Sequence, residues 1–139
     1  MEQQKNNPER ETRILDAAER LITRYGYNKT TISDIAHEAG ISKGAVYLHF
    51  SSKEALFEEL VLRAVEQLSQ DIADRLEKDP QGGTIAGLYT NSLIAIAANP
   101  LMKALYSNDR RVLGDFVRYM MHSERYKPLV ALGMDLVAQ

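Results

Sequence analysis

The stretch that most constrains this chain is residues 31–50, TISDIAHEAGISKGAVYLHF. It reads as two short helices joined by a tight turn. Ile32, Ile35, Ala36 and Ala39 recur at helical spacing and give residues 32–39 one apolar face. Thr31 is placed to cap that helix, and Asp34, three residues on, completes a capping box with it. Gly40 ends the helix, because a left-handed residue after a helix is least strained without a Cβ. Ile41 turns back toward the core, Ser42 caps a second helix over 43–49, and Val46 and Phe50 face inward with Ile41. Two short capped helices around a glycine turn form a helix-turn-helix, whose second helix can enter a DNA major groove.

The outward face of that second helix suits DNA. Ser42, Lys43, Gly44, Ala45, Tyr47, Leu48 and His49 lie nearer solvent, and no acid occurs between Ala39 and Lys53 to repel phosphate. Gly44 and Ala45 are small enough for close backbone approach. Tyr47 and His49 can bond phosphates, and Lys43 adds charge and can donate to guanine O6 and N7. The candidate base contacts are Ser42, Lys43, Gly44, Ala45 and Tyr47. The candidate phosphate contacts are Thr30, Thr31, Ser42, Tyr47, His49 and Lys53. Thr30 and Thr31 stand at a helix N-terminus, where free N–H groups and hydroxyls meet anions. Lys53 sits at the start of the next helix, where a cation opposes the helix dipole, so a phosphate partner accounts for it. Leu48, either partly exposed or packed on the domain, is not counted among the contacts. The plain alternative is a solvated corner of a small helical bundle.

The text ILDAAERLITRYGYNKTTISDIAHEAGISKGAVYLHFSSKEALFEEL resembles the DNA-binding domain of the TetR family of bacterial transcriptional regulators. The Tyr-Gly-Tyr helix end, TT-x-x-D-I-A, AG-x-SKG, Y-x-HF and K-E-x-L together carry the likeness, over residues of about 10–60. The resemblance implies an all-α protein with an N-terminal three-helix helix-turn-helix domain over 1–53. A helical ligand-binding and dimerisation domain follows over 54–139, with a bridging helix at about 52–78. It implies a repressor that binds double-stranded DNA as a homodimer and is released from a palindromic operator by a small-molecule inducer. It also implies a backbone contact for Lys53. Family members continue through further helices that form the dimer interface, so this chain is expected to hold an incomplete regulatory domain. A helical small-molecule-binding protein that no longer reads DNA is the alternative.

Bulk composition narrows the field. The 139 residues suffice for one compact unit or a small domain with part of another. There is no Cys, hence no disulfide framework and no thiolate metal site, which fits the cytoplasm. No apolar run approaches a membrane span, and MEQQKNNPER has no signal-peptide core. The net charge of −2 looks wrong for a DNA binder until it is divided. Residues 1–53 hold eight Lys/Arg against seven Asp/Glu, a net +1, and the remainder is −3. A local patch, not a broad basic surface, must do the binding.

Taken in order, residues 1–6 read as a polar, disordered end with Lys5 as a weak minor-groove arm. Asn7 and Pro8 start helix 1, with Ile14, Ala18, Leu21, Ile22 and Tyr25 inward and Gly26 ending it. Ser51 and Glu54 have capping-box spacing, and Leu56, Leu60, Ala64, Leu68, Ile72 and Leu76 run on toward residue 78. Asp79-Pro80-Gln81-Gly82-Gly83 is the clearest break, without the Lys of a phosphate loop. Residues 84–98 are apolar on most sides and so belong at the centre of their bundle. A short helix at 101–106, one at 110–122 and an apolar segment from Pro128 follow.

A ligand site is expected among these later helices, from Tyr89, Ser92, Tyr106, Phe116, Tyr119 and Met120. Ordinary core and surface roles compete for each. Catalysis has no support: His37, His49 and His122 are isolated, and no second His completes the His37-Glu38 pair. No cofactor or metal is expected.

Overall fold

The computed structural model describes residues 7–125, and every regular element in that range is a helix, as expected. The elements are α1 Pro8–Tyr25, α2 Ile32–Ala39, α3 Lys43–His49, α4 Lys53–Lys78, α5 Ile85–Ala98, α6 Pro100–Tyr106, α7 Arg110–Leu113 and α8 Phe116–His122. The candidate arm with Lys5 and the apolar segment from Pro128 lie outside the described residues.

Asn7 caps α1 by accepting from the N–H groups of Glu9 (3.1 Å) and Arg10 (3.2 Å), and Pro8 fills the first turn. Because α1 packs on both α2 and α4, it buries an arc wider than a stripe: Ile14, Leu15, Ala17, Ala18 and Ile22. Tyr25 departs from its expected inward place. It is 52% exposed, with the Arg24 guanidinium 5.2 Å from its ring. α2 buries Ile32, Ile35, Ala36 and Ala39, and Val46 and Phe50 close the unit from α3. Its capping box is complete, with Thr31 and Asp34 exchanging hydrogen bonds of 2.9 and 3.1 Å. Gly40 takes the left-handed conformation at φ 71°.

The 26 residues of α4 span about 39 Å. Its cap is Ser52, which accepts from Ala55 N–H at 3.1 Å, one residue later than the Ser51 box expected from spacing. Leu56, Phe57, Leu60, Val61, Ala64 and Leu68 are buried, the first turns against α1 and the later ones against α5 and α6. Arg63 fixes the α1–α4 angle by bridging Asp16 (2.7 Å) and Glu19 (2.8 Å). One apolar core runs unbroken from Ile32 and Val46, through α4, to Leu101, Leu113 and Phe116.

Two expectations fail beyond α4. Residues 110–122 form two helices, because Gly114 adopts φ 50° between them. Asn28 occupies the space a Cβ at Gly114 would need, and its Oδ1 accepts from Asp115 N–H at 2.9 Å. The chain must kink for α8 to start on the 26–30 loop. α5, expected at the centre, lies at the side. It meets its neighbours through Gly87, Asn91 and Ala95, while Ile85 (88%), Leu88, Tyr89, Leu93 and Ile94 are exposed. A Cβ at Gly87 would strike the Gln81 carbonyl. Asn91 donates to Asp79 Oδ2 (2.7 Å) and to the Gly87 carbonyl (2.8 Å). The small, polar edge is the one that fits against the turn, so the large side chains are left outside.

Candidate nucleic-acid interface

α3 is presented by the packing beneath it. Val46 is fully buried, and Ser42 Oγ accepts from Ala45 N–H at 3.1 Å, so the first turn is fixed. A hydroxyl that accepts through oxygen still has its proton to donate, and Ser42 is exposed. Lys43 and Gly44 are exposed, Ala45 is half-buried, and Tyr47 is 48% exposed. These five expected base contacts therefore share one accessible helix. Lys43 enters no ion pair among the described residues.

The expected phosphate contacts divide. Thr31 is exposed at the N-terminus of α2, but its N–H is already donated to Asp34 Oδ2 and its hydroxyl accepts from Asp34 N–H. The same bonds from Thr31 hold the Asp34 carboxyl below the usual carboxylate range. Thr30 departs from expectation: it is 2% exposed and its hydroxyl donates to the Gly26 carbonyl at 2.8 Å. The side chain closes the loop before α2 and presents nothing outward. His49 departs too, since both ring nitrogens are shielded from solvent and have no hydrogen-bond partner. Only a ring rotation would bring a nitrogen to a phosphate.

Lys53 has a partner that spacing does not reveal. Its ammonium lies 4.0 Å from the centre of the Tyr27 ring, a cation–π contact. Burial pulls the Lys53 ammonium below its ordinary value, while the nearby Glu54 and Asp115 carboxylates act in the opposite sense. Burial first, and then Glu54, push the Tyr27 phenol far above its own. The awkward cation at the start of α4 is thus accommodated by an aromatic face and two carboxylates.

Tyr27 also ties this region to the later helices. Its N–H donates to the Val112 carbonyl at 2.8 Å. Its ring packs on Phe57 (5.2 Å) and Phe116 (5.6 Å), and Phe57 meets Phe116 edge-on at 4.2 Å. Beside this knot, Glu58 accepts from Tyr119 Oη (3.2 Å) and Arg125 Nη1 (3.0 Å). The Tyr119 phenol is raised by burial and by the Glu58 hydrogen bond.

The six expected ligand residues do not converge. Tyr89 and Tyr106 are 68% and 71% exposed, Phe116 is fully buried in the aromatic knot, and Ser92 and Met120 are half-buried on different helices. Of the six, Tyr119 borders a cleft of about 410 Å³, with Tyr27, Glu54, Asp115, Arg118 and His122. A second cleft of about 300 Å³ between α1, α4 and α5 contains none of the six. Among the described residues no group of three or more His, Asp or Glu could hold a metal ion. No single helix there is long and apolar enough to cross a membrane.

Two residues set aside or unnoticed in the sequence border the outer face of α3. A groove of about 500 Å³ is lined by Arg10, Ile41, Ser42, Gly44, Ala45 and Leu48. Leu48 is 45% exposed. Arg10 was hidden because it lies over thirty positions from α3 in sequence and reaches it only through the packing of α1 on α2.

Comparison with known proteins agrees with this geometry. A family model described as "Bacterial regulatory proteins, tetR family" matches residues 14–60. The HTH-type transcriptional repressor KstR2 of Rhodococcus jostii is 31% identical over 130 residues, covering 91% of this chain and 59% of that protein. KstR2 of Mycobacterium tuberculosis is 28% identical over 129 residues, covering 91% and 64%. The crystal structure of a protein assigned as a tetR family transcription regulator from Shewanella sp. PV-4 is similar with a TM-score of 0.57 and 25% identity. That match covers 81% of this chain and 66% of the other. The chain thus spans roughly three fifths to two thirds of the length of these relatives.

Proposed function

We propose that this chain, which is similar to the TetR family of bacterial regulatory proteins over residues 14–60, is a DNA-binding transcriptional repressor, not an enzyme. The observation that carries the reading is α3 itself: a short helix on a buried Val46, exposing Ser42, Lys43, Gly44 and Tyr47 within an acid-free stretch. Relatives that align over nine tenths of this chain bear the name of repressor. In this reading residues 1–53 are the DNA-reading head and 54–139 belong to a regulatory body. α4 is shared between them.

Lys43, Ser42 and Tyr47 face the bases, with Gly44 and Ala45 permitting close approach. Thr31, Ser42, Tyr47 and Lys53 serve the phosphates. A homodimer would set two α3 helices about 34–36 Å apart, one turn of duplex, on a palindromic operator. An inducer that favours a different spacing would weaken operator binding, and operator would weaken inducer binding by the same factor. Work on the chromosome places the protein in the cytoplasm. The Tyr27–Phe57–Phe116 knot supports this coupling, because it joins the 26–30 loop to α4 and α8 by side-chain packing.

Selection of bound sequences from a random duplex pool tests the reading. The expected product is an inverted repeat bound with a steep, linear dependence of log affinity on log salt. Lys43→Ala and Tyr47→Phe should each weaken that binding while leaving the helical circular dichroism unchanged. Absence of salt-dependent binding to any duplex at low salt would favour a helical protein that no longer reads DNA.

A further inference from the structure

We propose that Leu48 is a base-reading residue that contacts the 5-methyl group of a thymine in the operator half-site. This rests on the reading of α3 as the recognition helix. At 100° per residue, Leu48 lies about 200° around the helix from Val46, which is close to diametrically opposite. Val46 is fully buried, so the opposite meridian is the most protruding line of α3. Gly44, one turn before Leu48, lies on the same meridian. It contributes no side chain, and a Cβ there would meet only its own cap, Ser42 Oγ, at 4.0 Å. Leu48 is therefore the one large side chain on the line that enters deepest into a groove. At 45% exposure, nearly half of it is open to a partner.

The surroundings select the partner. The groove beside Leu48 has apolar walls from Ile41 and Ala45, with Ser42 and the Arg10 side chain at its edge. Arg10 enters no ion pair among the described residues, whereas Arg13 is spent on the Ala39 carbonyl (2.7 Å) and Arg20 on Glu38 (3.2 Å). No carboxylate occurs from Gly40 to Ser52. An apolar strip flanked by unpaired cations matches the edge of a duplex, where phosphates line the rim and the thymine methyl is the apolar group exposed in the major groove. A protein partner would not need the cations, and a lipid surface would not need the narrow groove beside a capped helix.

The test uses the full chain and an operator recovered by selection. Each thymine is replaced in turn by deoxyuridine, which deletes only the 5-methyl group and keeps every hydrogen-bonding edge. One position per half-site should bind about three- to tenfold more weakly, the worth of one buried methyl. Leu48→Ala should bind the parent operator more weakly and no longer distinguish thymine from uracil there. Leu48→Met, which keeps an apolar reach, should retain part of the discrimination. Salt-dependent operator binding that is indifferent to deoxyuridine at every position overturns the inference and leaves the repressor reading intact. So does discrimination that survives Leu48→Ala unchanged. Absence of binding to any duplex removes both together.

Discussion

α2 turns Ile32, Ile35, Ala36 and Ala39 inward and leaves its polar residues to solvent. α5 does the reverse, packing through Gly87, Asn91 and Ala95 and leaving five large apolar side chains exposed. Both helices are rich in apolar residues. The difference is that α2 carries Ser33, Asp34, His37 and Glu38, which can only face water, so its orientation has one solution. α5 has no charged residue at all. Apolar content shows that a helix wants to be covered, and only polar residues show which side must not be.

The contrast can be broken from either end. Phe57→Ala opens the aromatic knot where three rings meet a fully buried position, and should cost about 3–5 kcal/mol, read as a lowered midpoint in urea unfolding. An effect below about 1 kcal/mol would mean the knot does not hold the two halves together. Gly114→Ala should cost about 1–3 kcal/mol, since it strains a positive φ and displaces Asn28 from the start of α8. Here Asn28→Ala in the same background should recover part of the loss, because it clears the space.

Arg63→Met keeps most of the side-chain volume but leaves Asp16 and Glu19 without their bridge. Asp16 is half-open to water and Glu19 partly so, so the loss should be about 1 kcal/mol and shrink in high salt. On the other side of the comparison, Ile85→Ala should change stability by less than about 0.5 kcal/mol, since its side chain is 88% exposed. A larger loss would show that this face of α5 is covered in solution.

The smallest effect concerns pH. The Asp34 carboxyl is held below its ordinary 3.8 by hydrogen bonds from Thr31. A group with a lowered folded pKa stabilises above its unfolded value, and that contribution is lost as pH falls through the folded one. The capping contribution is therefore full at neutral pH and fades below about pH 4. In Asp34→Asn this part of the acid dependence should disappear, visible as a flatter stability profile in that window.

Legibility followed the same divide. In α2 and α3, each cap and buried residue was readable because local rules act there within four or five positions: Thr31 with Asp34, Gly40 at positive φ, Ser42 with Ala45. Thr30 and His49 were misread because burial of a single polar side chain depends on what approaches it, and here Gly26 and the ring's own packing do so. Lys53 gave a true signal, a cation at the wrong helix end, but the partner the structure shows is the Tyr27 ring, twenty-six positions earlier. Leu48 and Gly44 stand one turn apart on the line opposite Val46, a relation legible from spacing alone.

The amino-acid sequence by itself determined an all-helical chain, the two capped helices of residues 31–50, and the acid-free character of their outer face. These follow from hydrophobic period, capping chemistry and charge, all of which act over a turn or two of helix. Tertiary structure alone decided that α5 packs by its small edge, that Gly114 divides the last helices, and that Arg10 stands beside α3. Each of these depends on which surfaces meet across tens of residues, and on space already taken by a carbonyl or an asparagine. In the stretch 31–50 the two levels agree, and that agreement leaves Lys43 and Leu48 exposed on one short helix.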